Sequence, residues 1–344
     1  MLYQPLTREE LINVIEGKSK ACRIPVLLHI WTGAYAFAPE LHPRVIKLLT
    51  DYPCDAQVIG IPMPEHFNAP EDDPAYRWLY YDNPVPEVCA IDESVYIPDW
   101  DCIDEIIANA PSSDYAGLLK NDQPPDGRYR IAHWWGFLYE KHWGFRGMTN
   151  ALTDYYEYPD EVHKLFRAMT DFYKGAFTRF ASAGIDGIFT SDDLGTQCNS
   201  FFSPDIFREF FFPYYKELID HAHSLGMHFW LHTCGHILNL LPQLIEAGVD
   251  VVHPIQKHTM DEKEVAQKFG DEICIFAGFD VQQAIPYGTV EDVKNEVRFL
   301  YNTYFRPDGR LMFTAGNGIT GDCPIDSLEM LFKESFDYGM EICK

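Results

Sequence analysis

The chain contains no run of about 18 apolar residues, so nothing in it reads as a membrane span. It is short of positive charge: 27 Lys and Arg stand against 52 Asp and Glu, a formal net charge of -25. Such a surface repels nucleic acid and anionic lipid, which removes both from the expected partners. The opening stretch MLYQPLTREELINVIEGKSK has the pattern of a polar amphipathic helix and lacks the apolar core of a signal peptide, so a cytoplasmic protein is expected. Paired cysteine spacing is missing as well. The nine cysteines are scattered, and in a reducing compartment a special one is a ligand or a nucleophile, not half of a disulfide. There is no low-complexity tract.

What is present is an alternation of short β-rich runs with helical stretches. The strand candidates are IPVLLHIW (24–31), AQVIGIPM (56–63), RIAHWWGF (130–137), DGIFTSDD (186–193), MHFWLHT (227–233), VDVVHPI (249–255), ICIFAGF (273–279) and RLMFTAG (310–316). Several are almost wholly apolar, as parallel strands covered on both faces should be. Between them, YPDEVHKLFRAMTDFYKGAFTRFASAG and SPDIFREFFFPYYKELIDHAHSLG carry Pro just inside the start and Gly just past the end, the usual helix punctuation. Eight such units predict an α/β fold of the (β/α)8 TIM-barrel kind, with a doubly wound open sheet as the competitor. One domain over 1–344 is expected, with 64–128, rich in Pro, Asp, Tyr and Trp, as an insertion or lid at the barrel mouth.

In a barrel the active site lies at the C-terminal ends of the strands. Polar side chains gather there: His29 and Trp31, Glu65 and His66, Asp192 and Asp193, His232 and Cys234, His253 and Gln256, Asp280, and Asn317. The sharpest feature is HFWLHTCGH (228–236). Alternate strand residues share a side, so His232 and Cys234 project together. An imidazole beside a thiolate suits zinc, which takes N and S ligands and keeps one position open when catalytic. Cys323, in GNGITGDCP, is a candidate third ligand. A Cys–His nucleophile pair, or two buried residues sharing a strand, are the other readings. Asp192 and Asp193 point to opposite sides, so one of them can face the cavity as acid, base, substrate anchor or fourth ligand. His253, Gln256 and Asn317 read as polar pocket groups or as structural ones. Trp31, Trp134 and Trp135 wall an aromatic pocket or belong to the core.

The segments SPDIF, PYYK, GMHFWLHTCG, GVDVVHPIQ, GFDVQQAIPYGTVEDV and the late GNGI together resemble the uroporphyrinogen decarboxylase superfamily. The resemblance runs from about residue 20 to the end and is densest over 186–325. It implies a TIM barrel and two branches of chemistry. The decarboxylase branch carries arginines for tetrapyrrole propionates in a segment that here reads PVLLHIWTGAY. Pro25, Val26, Gly33 and Tyr35 match, but Ile30 and Ala34 stand where the arginines belong. Burying carboxylates without cations is expensive, which argues against that substrate. The methyltransferase branch has an H-x-C zinc motif, matched by His232 and Cys234, and a distant cysteine whose place is taken by Asn317, with Cys323 six residues on.

The resemblance therefore implies a methyltransferase. It would move a methyl group from a small-molecule donor, an aryl methyl ether before a methylamine, to a corrinoid (as methylcobalamin) carried by a partner protein. Zinc would sit on His232, Cys234 and Cys323, Asp193 would protonate or anchor substrate, and His29, Trp31, Asp192, His253, Gln256 and Asn317 would line the site. The alternatives are a metal-independent lyase of the decarboxylase kind and a binding barrel without chemistry.

Overall fold

The computed structural model describes residues 2–30, 36–79 and 95–344. Seven parallel strands form one sheet in simple sequence order: β1 Ala56–Gly60, β2 Tyr129–His133, β3 Gly187–Ser191, β4 His228–His232, β5 Val251–His253, β6 Cys274–Phe279 and β7 Leu311–Ala315. The helices are α1 Arg8–Ile15, α2 His42–Asp51, α3 Ile103–Ala108, α4 Leu138–Arg146, α5 Met148–Glu157, α6 Pro159–Ser182, α7 Pro204–Ile206, α8 Phe212–Ser224, α9 Leu241–Ala247, α10 Glu262–Phe269, α11 Ala284–Tyr287, α12 Val290–Tyr304 and α13 Ile325–Ile342. No helix among the described residues is long and apolar enough to cross a membrane.

Among the described residues the sheet has seven strands and is open, where eight were expected. Of the expected first strand, 24–31, the described residues 24–30 make isolated bridges only, Val26 to Phe313 and Ile30 to Ile319. The reason is local. Pro25 has no N–H to give, and the Val26 N–H is taken by the Asp55 carboxylate at 2.7 Å instead of a neighbouring strand. The segment still lies against β7, where Leu27 N–H donates to Phe313 O (3.0 Å) and Phe313 N–H to Pro25 O (2.8 Å). On its other side Asp55 N–H donates to Val26 O at 3.1 Å. The second correction concerns the long helix expected over 203–226. It is broken by a π turn, Phe207–Phe211, in which Phe212 N–H reaches back five residues to Phe207 O. Pro213, which cannot donate, follows immediately.

Strand alternation sorts the core into two layers. One face carries Ala132, Ile188, Leu231, Val252, Ile275 and Phe313 against the helices. The other carries Tyr129, Ile131, Trp230, Val251, Cys274, Phe276 and Met312, packed with Leu11, Val14 and Ile15 of α1. That helix seals the N-terminal edge of the sheet: Arg310 N–H donates to Val14 O and Arg8 N–H to Gly127 O. Thr7 caps it with a capping box to Glu10. On the same face, two residues further along each strand, the apolar layer gives way to His133, His232, His253 and Thr314. The site begins there.

Between β1 and β2, the described parts of the expected insertion 64–128 hold α3 and a short 3-10 turn, Ala116–Leu119, and no strand of the sheet. Trp31 and Ala34 lie outside the described residues.

Candidate metal centre

His232 ends β4 with its side chain on the inner face, and Cys234 follows in the loop. The loop after β3 fixes the sulfur's position. Gly195 N–H donates to Cys234 O (3.2 Å) and His236 N–H to Thr196 O (2.7 Å), locking the two loops together. At Gly235 the backbone has φ +86, and an added Cβ would sit 2.2 Å from the Gly195 carbonyl carbon. Only glycine fits so close a crossing.

That clamp brings three potential ligand atoms within 4.8 Å of one another, one each from Asp193, His232 and Cys234. Cys234 Sγ lies 3.3 Å from His232 Nε2, and His232 Nε2 lies 3.5 Å from Asp193 Oδ1. The Cys234 N–H donates to the same Asp193 oxygen at 2.7 Å. Tetrahedral zinc with bonds of about 2.0–2.3 Å spaces its ligand atoms about 3.3–3.7 Å apart, so both distances already match the edges of such a site.

The electrostatics agree. Burial pushes the His232 imidazole down to about 3, helped by nearby His133, which leaves the ring neutral. Burial, then the neighbouring carboxylates, pushes the Cys234 thiol above its usual range, and burial raises Asp193. A thiol and a carboxyl discouraged from ionising by burial are what a divalent ion would relieve.

The other residues read from the sequence fall in different places. Asp192 is fully buried and turned away from the three. Its carboxylate accepts from the N–H groups of Tyr139 (3.2 Å) and Glu140 (2.8 Å) in the first turn of α4 and from Tyr215 Oη (2.7 Å). Its oxygens serve the helix terminus, which corrects the expectation that it lines the substrate site. Cys323 is also not among the three. It is 4 % exposed and packs in the apolar core ahead of α13, where burial pushes its thiol up to about 12. Asp193 stands in the third position instead. Replacing Cys323 with alanine is therefore expected to leave zinc content unchanged while costing some stability; a zinc assay on the purified variant checks this, and loss of the metal would contradict it.

His29 lies at the exposed edge of a cavity of about 190 Å³, together with His133, Trp135, His253 and Asn317, over a floor that includes Ile131, Phe189 and Phe276. Of the tryptophans, Trp134 is buried core, while Trp135 is 46 % exposed with its ring edge-on to His232 at 5.0 Å. Asn317 also borders a smaller cavity of about 60 Å³ that Cys234 and Gln256 line. Gln256 Oε1 accepts the Gly235 N–H at 2.6 Å, steadying the ligand loop. Behind His232, the His253 Nδ1 lies 2.7 Å from His232 Nδ1.

Two residues escaped the sequence reading. His133 sits on β2 one inward step beyond Ile131, the same signal that found His232, and its Nδ1–H donates to Phe189 O at 3.1 Å. Glu140 accepts from Ser191 Oγ, and burial together with Asp192 and Asp193 pushes its carboxyl up to about 8. It comes from a helix, which no strand-end rule reaches.

The comparisons with known proteins agree with this architecture. The family model described as uroporphyrinogen decarboxylase (URO-D) matches residues 143–337. A methylated-thiol–coenzyme M methyltransferase of Methanosarcina mazei is 29% identical over 140 residues, 41% of this chain and 36% of that protein. The alignment thus spans about a third of that relative's length. The solved structure of a methyltransferase from Methanosarcina mazei superposes with a TM-score of 0.62 at 14% identity, covering 96% of this chain and 98% of that one, a likeness of fold. With more than half of its length matched by the family model, the chain belongs to the uroporphyrinogen decarboxylase family.

Proposed function

We propose that the protein is a zinc-assisted methyltransferase that takes a methyl group from a small uncharged substrate and passes it to a corrinoid held by a partner protein. The observation that carries this reading is the convergence of Asp193, His232 and Cys234, with His232 touching Trp135 and His253, two of the residues that line the cavity of about 190 Å³. Resemblance to methyltransferases supports the reaction class. Asp193, His232 and Cys234 would hold the zinc, which would supply Lewis acidity toward the methylated substrate.

The chain's own residues do the rest. Among the described residues no Asp, Glu, Lys or Arg lines the cavity of about 190 Å³, so neither a carboxylate nor an ammonium group would find a counter-ion among them. Its volume of about 190 Å³ is below the range of drug-sized pockets and suits a single ring. Leu27, Ile131, Phe189 and Phe276 would hold such a ring, Trp135 would flank it, and His29, His133 and Asn317 would orient its polar edge. An aryl methyl ether is the substrate class of choice; a methylated thiol is the second, favoured by the coenzyme M relative. Glu140, whose carboxyl is pushed up by burial and by Asp192 and Asp193, would serve as the acid for a departing oxygen or sulfur. The open strand ends present this cavity to a second protein. The chain acts as one unit over 1–344, with 64–128 inserted between β1 and β2.

The test is methyl transfer to a reduced corrinoid protein from uncharged methoxybenzenes, methylated thiols and methylamines. Turnover with the uncharged donors is expected. Carbon dioxide release from a carboxylated substrate without any corrinoid would replace this reading by a lyase.

A further inference from the structure

Two imidazoles stand in line, each 4 % exposed: the ligand candidate His232 and, behind it, His253. Their Nδ1 atoms are 2.7 Å apart, a separation at which the two nitrogens must share one proton. At the far side of His253, Nε2 lies 3.0 Å from the carbonyl oxygen of Ala315 at the end of β7. A carbonyl only accepts, so His253 Nε2 carries a hydrogen. A neutral imidazole has one N–H, so His253 Nδ1 is bare and the shared proton belongs to His232 Nδ1. His232 Nε2 is then bare as well, and it is the atom that faces Cys234 Sγ and Asp193 Oδ1. The direction of the whole chain follows from one backbone carbonyl.

Both rings are buried, which disfavours a charge on either. His253 is packed by the rings of Phe189 and Phe276, at 5.8 and 5.1 Å, with His232 and the Ala315 carbonyl as its polar neighbours. A second proton on this pair would be a buried cation facing another imidazole.

We propose that His253, anchored by the Ala315 carbonyl, is a positioning residue that fixes His232 as its Nδ1–H tautomer and thereby aims the Nε2 lone pair at the position between Cys234 and Asp193. The inference rests on the metal-site reading above for what that lone pair is aimed at, but the tautomer itself does not depend on any metal. Neutral partners that orient a ligating histidine in this way fix ring and tautomer before the metal arrives.

The experiment has two arms. In metal-free, 15N-histidine-labelled full-length protein, long-range nitrogen–proton correlations report each tautomer. His232 is expected as Nδ1–H and His253 as Nε2–H; the reverse assignment in the wild type overturns the proposal. In the second arm, zinc affinity is measured by chelator competition. His253→Leu is expected to weaken zinc by about 10–100-fold. His253→Gln, whose carbonyl can accept from His232 while its amide donates to Ala315, is expected to restore most of that loss. Unchanged affinity in a folded His253→Leu variant, or no difference between Leu and Gln, also overturns it. A wild type that shows the expected tautomers yet binds no zinc would defeat the metal-site reading alone and leave the tautomer assignment standing.

Discussion

Alanine in place of either His232 or Cys234 is expected to abolish stoichiometric zinc and to lower methyl transfer on the order of 10³-fold. The magnitude follows from the chemistry: Lewis-acid stabilisation of a leaving group is worth several kcal/mol, and each 1.4 kcal/mol is a factor of ten. The two variants should fail alike, because a site with three protein ligands that loses one no longer holds the ion firmly. His232 is buried against Trp135 and His253, so its truncation also opens a small void. Cys234 is half-buried and its truncation costs less stability, which makes it the cleaner test. Metal analysis and turnover should be measured on the same preparations. Full activity in a zinc-free Cys234→Ala protein would remove the metal from the mechanism.

The second large effect is on stability and arises at the opposite end of the fold. Asp55 is wholly buried, and its carboxylate accepts from Arg23 through both Nη atoms (2.5 and 2.7 Å) and from the N–H groups of Leu6 (2.8 Å) and Val26 (2.7 Å). Arg23 is 3 % exposed and stacks on Phe336. Asp55→Ala would leave a guanidinium and two backbone donors without that partner. Removing one member of a buried ion pair costs about 3–5 kcal/mol. For a chain of this length that corresponds to a fall in Tm of roughly 4–7 °C. Because the same carboxylate holds residues 24–27 beside β7, the loss should appear first at that edge, as faster amide exchange at Leu27 and Phe313. A stability change below about 1 kcal/mol would show that the pair contributes little beyond the desolvation of its charges.

The physical reasons for what was and was not legible in the sequence lie in particular residues. His232 and His253 were readable because strand alternation is strict: each follows an inward apolar residue by two. The approach of Cys234 to Asp193 was not. It depends on Gly195 and Gly235 crossing at van der Waals contact, a tertiary event with no periodic signature. Cys323 looked like a ligand because it lies in the loop after the last strand, six residues past Asn317, yet the turn before α13 buries it in the core. Of the adjacent aspartates, alternation said that they diverge; which one faces the site was decided by the N-terminus of α4, which claims Asp192. The missing eighth strand has a similar cause. IPVLLHIW has the composition of a strand, but a carboxylate from the next segment takes the amide that a ladder would need. Side chains that divert backbone hydrogen bonds are invisible to propensity.

The most direct measurement is X-ray absorption at the zinc edge of the zinc-loaded protein. The geometry of Asp193, His232 and Cys234 predicts one sulfur at about 2.3 Å and a remaining shell of nitrogen and oxygen at about 2.0–2.2 Å, one of them imidazole. Two sulfurs in the shell, none at all, or a protein that retains no zinc under conditions that load it would contradict the account.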